Sequence, residues 1–391
     1  MPKLEDAPLV LVTGATGFVG SHCVKALLEG GYRVRGSVRS LDNEKKNGPI
    51  LALDNNNRQN GEKRLELVQA DLLDEDSWKK AVAGCTFVLH VASPLPTEQP
   101  KDPNVLVKPA VEGTLSVLKA AAAEPLVKRV VFCSSAAAVS SGRTDKDHFD
   151  EEDWSLEDLS KVTPYELSKT LAEKAAWKFL EECAEKGRHL ELAVINPVLI
   201  LGPAIHGSTD FTSGEVTKLM LNRVYPVIPR VALAVVDVRD VAVAHVRAMT
   251  AESANGKRIL MADEEAVNLN ELAVALSEEF GPIGYRVPTT PLPKWLVYVA
   301  SFVAPLFRIA YPLMDRRITY SSKARRTHLA MVDTFDWKTA LLAMAYSLIE
   351  SGSVPKTRDY KGPPHWFQEG ISSSGEQLKR LDLQLSANEV V

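Results

Sequence analysis

The sequence predicts an α/β fold, a doubly wound parallel sheet joined to a smaller, mostly helical lobe. Three observations predict it. Over the first 200 residues, short and nearly continuous apolar runs alternate with helical stretches, the pattern of strands buried on both faces and connected by crossover helices. A glycine-rich turn joins the first run to the first helical stretch. Beyond Gly202 the regular alternation fades.

The apolar runs occupy residues 9–13, 32–38, 65–69, 87–91, 130–134 and 192–196, and helices are expected at 17–29, 75–83, 104–123 and 164–185. Residues 40–64 are largely polar, with Asn55, Asn56 and Asn57 in a row, and read as a surface loop after the second strand. Residues 232–238 read as a further strand leading into a helix at 239–251, with one more strand at 258–261. The expected organisation is a nucleotide-binding unit over 1–200, to which 233–262 return. Residues 201–232 and 263–365 then form a substrate lobe over the sheet's carboxyl edge, and 366–391 a polar tail that frays.

A chain of 391 residues allows one large or two smaller domains, because single cores seldom grow beyond roughly 250–300 residues. A net charge of −4 supplies no basic field for nucleic acid. The four cysteines, Cys23, Cys85, Cys133 and Cys183, are widely spaced, which argues against a disulfide framework or a zinc knuckle and fits a reducing compartment. The first residues carry acids and prolines before any apolar run, unlike a signal peptide, so a cytoplasmic location is expected. No His/Asp/Glu cluster has metal-ligand spacing, and no metal is expected. A monomer and a homodimer are both compatible. Residues 295–314 are mostly apolar and about as long as the ~20 residues of a bilayer span, yet they contain Pro305, Arg308 and Pro312. Two readings stand: a packed lobe helix or substrate wall, and a membrane-surface contact.

The turn Thr13-Gly14-Ala15-Thr16-Gly17-Phe18-Val19-Gly20 follows the first strand and opens the first helix. Glycines there let backbone N–H groups approach a pyrophosphate seated at the positive helix end. An NAD enzyme places an acid at the end of the second strand, about 20 residues further on, to hold the ribose hydroxyls. Here Arg39 stands in that position, and a guanidinium suits a 2′-phosphate that a carboxylate would repel; Lys45 or Lys46 can add a second charge. NADP(H) is therefore the expected cofactor. Asp71, followed by Leu72 after the third strand, is placed to contact adenine, with an N-cap role as the alternative. Val91, Ala92 and Ser93 end the fourth strand with small residues that leave room for the inner ribose and phosphates.

Tyr165 and Lys169 lie four residues apart, on one face of a helix. A free phenol, with a pKa near ~10, is a poor base at neutral pH, and a neighbouring cation stabilises its phenolate. Ser134 and Ser135 close a buried strand, and hydroxyls there point at the ligand crevice of a doubly wound sheet. His22, His90 and Cys133 read as packing residues, while His148 and Asp150 lie in a loop that either borders the substrate or is exposed.

Together the TGxxGxxG turn, the strand-end serine and the YxxxK helix resemble the extended short-chain dehydrogenase/reductase superfamily. The segments His90–Pro94, Pro109–Thr114, Asp150–Ser155, Ser168–Glu173, Asn196-Pro197 with Gly202-Pro203, and Asp237–Ala242 resemble its dihydroflavonol reductase, cinnamoyl-CoA reductase and methylglyoxal (aldehyde) reductase group. The resemblance runs from about residue 8 to 355. It implies a Rossmann-type NADP-binding domain and reversible hydride transfer between NADP(H) and an aldehyde, ketone or alcohol. It also implies Ser135 rather than Ser134 polarising the carbonyl, Tyr165 as acid and base, and Lys169 orienting the cofactor and favouring phenolate. It assigns Arg39 and Lys46 to the phosphate and Pro197, Val198, Leu199 and Ile200 to the cofactor. Where plant dihydroflavonol reductases carry an asparagine, this chain reads Ala136-Ala137-Ala138-Val139-Ser140, and the aromatic-rich stretch before the tyrosine is replaced by Lys161-Val162-Thr163-Pro164. The resemblance therefore does not carry flavonoid specificity. Competing readings are a membrane-associated hydroxysteroid dehydrogenase, a nucleotide-sugar epimerase or dehydratase, and a non-catalytic NADP-sensing regulator. The apolar later half argues against the second, and the presence of both Tyr165 and Lys169 against the third.

Overall fold

The computed structural model describes residues 7–57, 63–94, 100, 102–205, 212–303, 307 and 310–367. Seven strands make the central sheet: β1 (Leu9–Val12), β2 (Arg33–Val38), β3 (Leu65–Gln69), β4 (Phe87–His90), β5 (Arg129–Cys133), β6 (Glu191–Pro197) and β7 (Arg258–Met261). Their order in space is β7-β6-β5-β4-β1-β2-β3, and all neighbours are parallel. All seven carboxyl ends thus share one edge, and the order reverses between β1 and β4, where such sheets hold their ligands.

The unbroken apolar runs follow from burial on both faces. Val10, Val12, Val131, Ala193 and Ile195 enter one layer with helices α1 (Phe18–Glu29), α7 (Val238–Thr250) and part of α10 (Lys323–Leu329). The residues between them, Leu9, Leu11, Val130, Leu192 and Val194, enter the other. There they meet α3 (Glu75–Val82), α4 (Asn104–Ala123) and α5 (Pro164–Glu185). This alternation is the two-residue period of a strand.

Residues 40–64 differ from the surface loop expected of them, because α2 (Glu44–Asn57) fills most of the segment. Only Ile50 and Leu53 join the apolar layer, too few to give a helical stripe. Side-chain hydrogen bonds supply the rest. Asn47 donates to the carbonyls of Ser40 and Leu41, each at 3.0 Å, and Asp54 accepts the Arg64 N–H at 3.1 Å. Residues 232–238 also differ: they form two short strands outside the central sheet. Ala232–Leu233 pairs antiparallel with Val267–Asn268, and Val235–Asp237 pairs parallel with Leu199–Leu201. The second ends at once because Asp237 caps α7, its carboxylate accepting the Arg239 N–H.

A second apolar cluster gathers Leu201 and Val235 with α6 (Thr212–Leu221), α8 (Leu269–Phe280) and α11 (Trp337–Glu350). The apolar stretch at 295–314 is no single helix. It contains α9 (Lys294–Ser301) and a 3-10 turn at Tyr311–Leu313, while Pro305 and Arg308 lie outside the described residues, as do 368–391 of the expected tail and the first six residues. Among the described residues no helix is long and apolar enough to cross a membrane.

Candidate active site

The glycine turn is close-packed by necessity. Gly14 has φ +65°, and a Cβ on Gly20 would sit 2.2 Å from the Gly14 carbonyl oxygen, so a side chain there would push the first turn of α1 away. Ser37 of β2 holds the loop, accepting the Gly14 N–H on its hydroxyl and the Ala15 N–H on its carbonyl, both at 3.1 Å. α1 begins without a side-chain cap and without an acid in its first turn, which leaves its positive end open to an anion.

Thr13 joins the two strands that flank the crevice. Its hydroxyl oxygen accepts the N–H groups of Val91 and Ala92, both at 2.9 Å, and lies 3.0 Å from His90 Nδ1. With the oxygen accepting twice, its proton goes to Nδ1, so the imidazole is neutral with hydrogen on Nε2. His90 is 1% exposed and stacks on Phe132. Burial, and then the nearby Lys169 charge, push its pKa down to about 3. Its expected packing role fits this environment. His22 donates from Nε2 to the Pro203 carbonyl at 2.7 Å, and so ties α1 to the Gly202-Pro203 turn.

Most of the remaining cofactor candidates lie at or just beyond the carboxyl ends of strands. Arg39 directly follows β2, is exposed, and among the described residues has no hydrogen-bond or ion-pair partner. Lys46 is half-buried in the first turn of α2. Asp71 follows β3 and accepts the Leu73 N–H at 3.0 Å. The N-cap alternative for it is overturned, since Asp74 caps α3 by accepting from Asp76 and Ser77; five residues separate the strand from the helix, so the cap falls later. Leu72 approaches α4 at Gly113, where a Cβ would meet its side chain at 3.0 Å. Val91, Ala92 and Ser93 are half-buried beyond β4. Pro197 ends β6, Val198 donates its N–H to Met261 at 3.1 Å, and Leu199 and Ile200 pair with Val235 and Val236.

Beyond β5 the two neighbouring hydroxyls part ways. Ser134 is buried and donates to Glu173 Oε2 at 2.5 Å. Ser135 is half-buried, and its oxygen accepts the Ala137 N–H at 3.1 Å; a hydroxyl engaged as acceptor keeps its proton to donate. α5 starts in a capping box of Thr163 and Glu166, and Ser141 donates to Glu166 at 2.9 Å, fastening the helix start to the loop after Ser135. Tyr165 is thereby held half-buried in the first turn of α5. One turn on, Lys169 is 6% exposed, and among the described residues no carboxylate or hydrogen bond meets it. Its charge reaches both His90 and Cys133, placing the ammonium near the ends of β4 and β5. Burial pushes the Cys133 thiol up to about 11 against that charge, so it is an inert packing residue.

One turn further on α5 is Glu173, fully buried, which the sequence reading did not single out. Besides Ser134 it accepts from Asn196 Nδ2 at 2.8 Å, Arg258 Nε at 2.6 Å and Trp177 Nε1 at 3.5 Å. Asn196 also donates to the Ser135 carbonyl at 3.2 Å. Arg258 stacks on Trp154 at 3.8 Å and donates to the carbonyls of Glu151 and Asp153, which anchors the 150–155 loop. The available signal was helical spacing: Tyr165, Lys169 and Glu173 recur every four residues on one face. His148 is exposed and lies 3.0 Å from the Thr319 hydroxyl, and Asp150 turns its own loop.

A parallel sheet with a glycine turn at β1, hydroxyls after β5 and a Tyr/Lys pair on the next long helix defines an extended short-chain dehydrogenase/reductase. The chain belongs to the NAD dependent epimerase/dehydratase family, whose model matches residues 10–262. It is 36% identical over 323 residues to an anthocyanidin reductase of Vitis vinifera, covering 78% of this chain and 91% of that one. It is 40% identical over 285 residues to cinnamoyl-CoA reductase 1 of Petunia hybrida, covering 72% and 79%. Among solved structures it resembles yeast methylglyoxal/isovaleraldehyde reductase complexed with NADPH, with TM-score 0.70 and 27% identity over 89% of this chain and all of that one.

Two outcomes are expected. Between about pH 6.5 and 3 the unfolded chain protonates His90 while the folded chain resists, so stability present above pH 6.5 is lost as pH falls through that window, by up to about 1.4 kcal/mol per pH unit. Urea unfolding at several pH values should show a shallower slope for His90→Gln. Glu173→Ala leaves Arg258 buried without its partner and should lower unfolding free energy by about 3–5 kcal/mol, measured the same way at pH 7.

Proposed function

We propose that the chain is an NADP(H)-dependent reductase that interconverts an aldehyde or ketone with its alcohol, with Ser135, Tyr165 and Lys169 as catalytic residues. The division of labour between adjacent hydroxyls carries this reading. Ser134 spends its hydrogen bond on an internal carboxylate, whereas the Ser135 oxygen accepts the Ala137 N–H and its own hydrogen is available to a substrate. The residues fit the cofactor. The uncapped start of α1 and the packed glycine turn suit a pyrophosphate, with Thr16, Gly17, Phe18 and Val19 supplying backbone N–H groups. Arg39, which has no partner among the described residues, and Lys46 suit a 2′-phosphate. Asp71 and Leu72 would flank the adenine, while Val91, Ala92, Ser93 and the 197–200 segment would line the inner half.

When bound, NADPH supplies the hydride. The Tyr165 hydroxyl gives a proton to the carbonyl oxygen, and in the reverse direction takes it from the alcohol. Ser135 donates a hydrogen bond to that oxygen as negative charge develops on it. The Lys169 ammonium, unneutralised by any carboxylate among the described residues, favours the phenolate left on Tyr165 and would hold the nicotinamide ribose. The likeness to named reductases supports the carbonyl class. Flavonoid recognition is not carried over, because the expected asparagine is absent and Ser140 meets Tyr320 at 2.6 Å instead.

In the same reading residues 1–200 and 233–262 form the nucleotide-binding domain, and 201–232 with 263–365 the substrate lobe. Four buried free thiols suit a reducing compartment, and we place the enzyme in the cytosol. Oxidation of NADPH against a panel of aldehydes, diketones and ketones tests the reading. Tyr165→Phe should lower kcat at least ~10²-fold while NADPH binding, read by fluorescence titration, persists; near-normal turnover would remove the assignment. Arg39→Asp should weaken NADPH selectively against NADH.

A further inference from the structure

Fifteen large apolar side chains are exposed among the described residues, and five of them cluster on and just after α9: Trp295, Tyr298, Val299, Phe302 and Val303. Steps of three and four place them on one helical face. Trp295 and Phe302 are each 66% exposed and Val303 84%. The opposite face is already occupied, with Val297 fully buried against Phe307, Ala310 and Met314 and beside Tyr225 and Val227. The outer face is therefore not the visible half of a packed core.

The surrounding charge is one-sided. No carboxylate lies between Glu215 and Asp237 or between Glu279 and Asp315, whereas those stretches hold six cations: Lys218, Arg223, Arg230, Arg286, Lys294 and Arg308. The two stretches fold together, for Tyr225 meets Phe307 at 5.4 Å and Val231 bridges to Met314. Lys218 and Lys294 pair with Glu215 and Asp315, and Arg308 lies outside the described residues. Arg223 and Arg230 are exposed and, among the described residues, have no partner. In a chain of net charge −4 these two joined cation-rich stretches, with two exposed arginines that have no partner among the described residues, are a local exception.

We propose that this face docks on an anionic lipid surface. Its tryptophan, tyrosine and phenylalanine enter the headgroup layer, where such rings settle, and Arg223 and Arg230 meet lipid anions. A second copy suits the face less well, since a twofold contact would set the same arginines against each other. No described helix is long and apolar enough to cross, so this helix lies along the surface.

Flotation of the full chain with phosphatidylcholine vesicles, with or without phosphatidylserine, tests this. It should float with the phosphatidylserine vesicles only, and salt should release it. Arg223→Gln and Arg230→Gln should each lower partitioning about fivefold. Trp295→Ser with Phe302→Ser should abolish flotation at an unchanged thermal midpoint. Three results would overturn the proposal: no flotation with phosphatidylserine vesicles, equal flotation without it, or a dimer that Trp295→Ser with Phe302→Ser dissolves.

Discussion

A buried carboxylate organises the reacting edge of the sheet. Glu173 has no exposure, and a carboxylate in an apolar interior persists only when paired and hydrogen-bonded. Its donors come from the end of β5, from β6, from β7 and from its own helix. Together they hold α5, the helix that also carries Tyr165 and Lys169, against the sheet. The same carboxylate accepts the Ser134 hydrogen bond, whereas the Ser135 oxygen accepts the Ala137 N–H.

A similar tactic joins the sheet to the later helices. Arg239 makes two hydrogen bonds to the Asp237 carboxylate, at 2.9 and 2.7 Å, and lies 3.5 Å over the Phe335 ring, while Asp240 accepts the Phe335 N–H at 2.9 Å. All three charged residues are at most 1% exposed. Removing one member of such a group costs more than the pair contributes, because the survivor is left charged in an apolar surrounding. Specific geometry at the crevice thus rests on polar contacts threaded through apolar layers.

The sheet was legible because parallel strands covered on both faces read as unbroken runs of valine, leucine and isoleucine, and the six runs expected before residue 200 match β1 to β6. Strand ends then located the glycine turn, Arg39, Asp71, Val91 and Ser135 without any knowledge of contacts. The helix α2 was hidden because amide and carboxylate side chains such as Asn47 and Asp54 hold it more than an apolar stripe does. Asp71 offered itself as a cap because it precedes the helix, and only the path of the loop gives that role to Asp74. The role of Glu173 was invisible for a different reason: it depends on Asn196 and Arg258, whose arrival beside it is a property of the sheet order and not of any local pattern.

Glu173 and its counter-ion Arg258 are separated by 85 residues. During synthesis α5, β5 and β6 leave the ribosome well before β7, so for that interval the carboxylate has no guanidinium to neutralise it. Closing α5 onto the sheet would then bury a lone anion, which is costly. α5 therefore docks on the sheet most favourably once β7 supplies Arg258 beside Glu173.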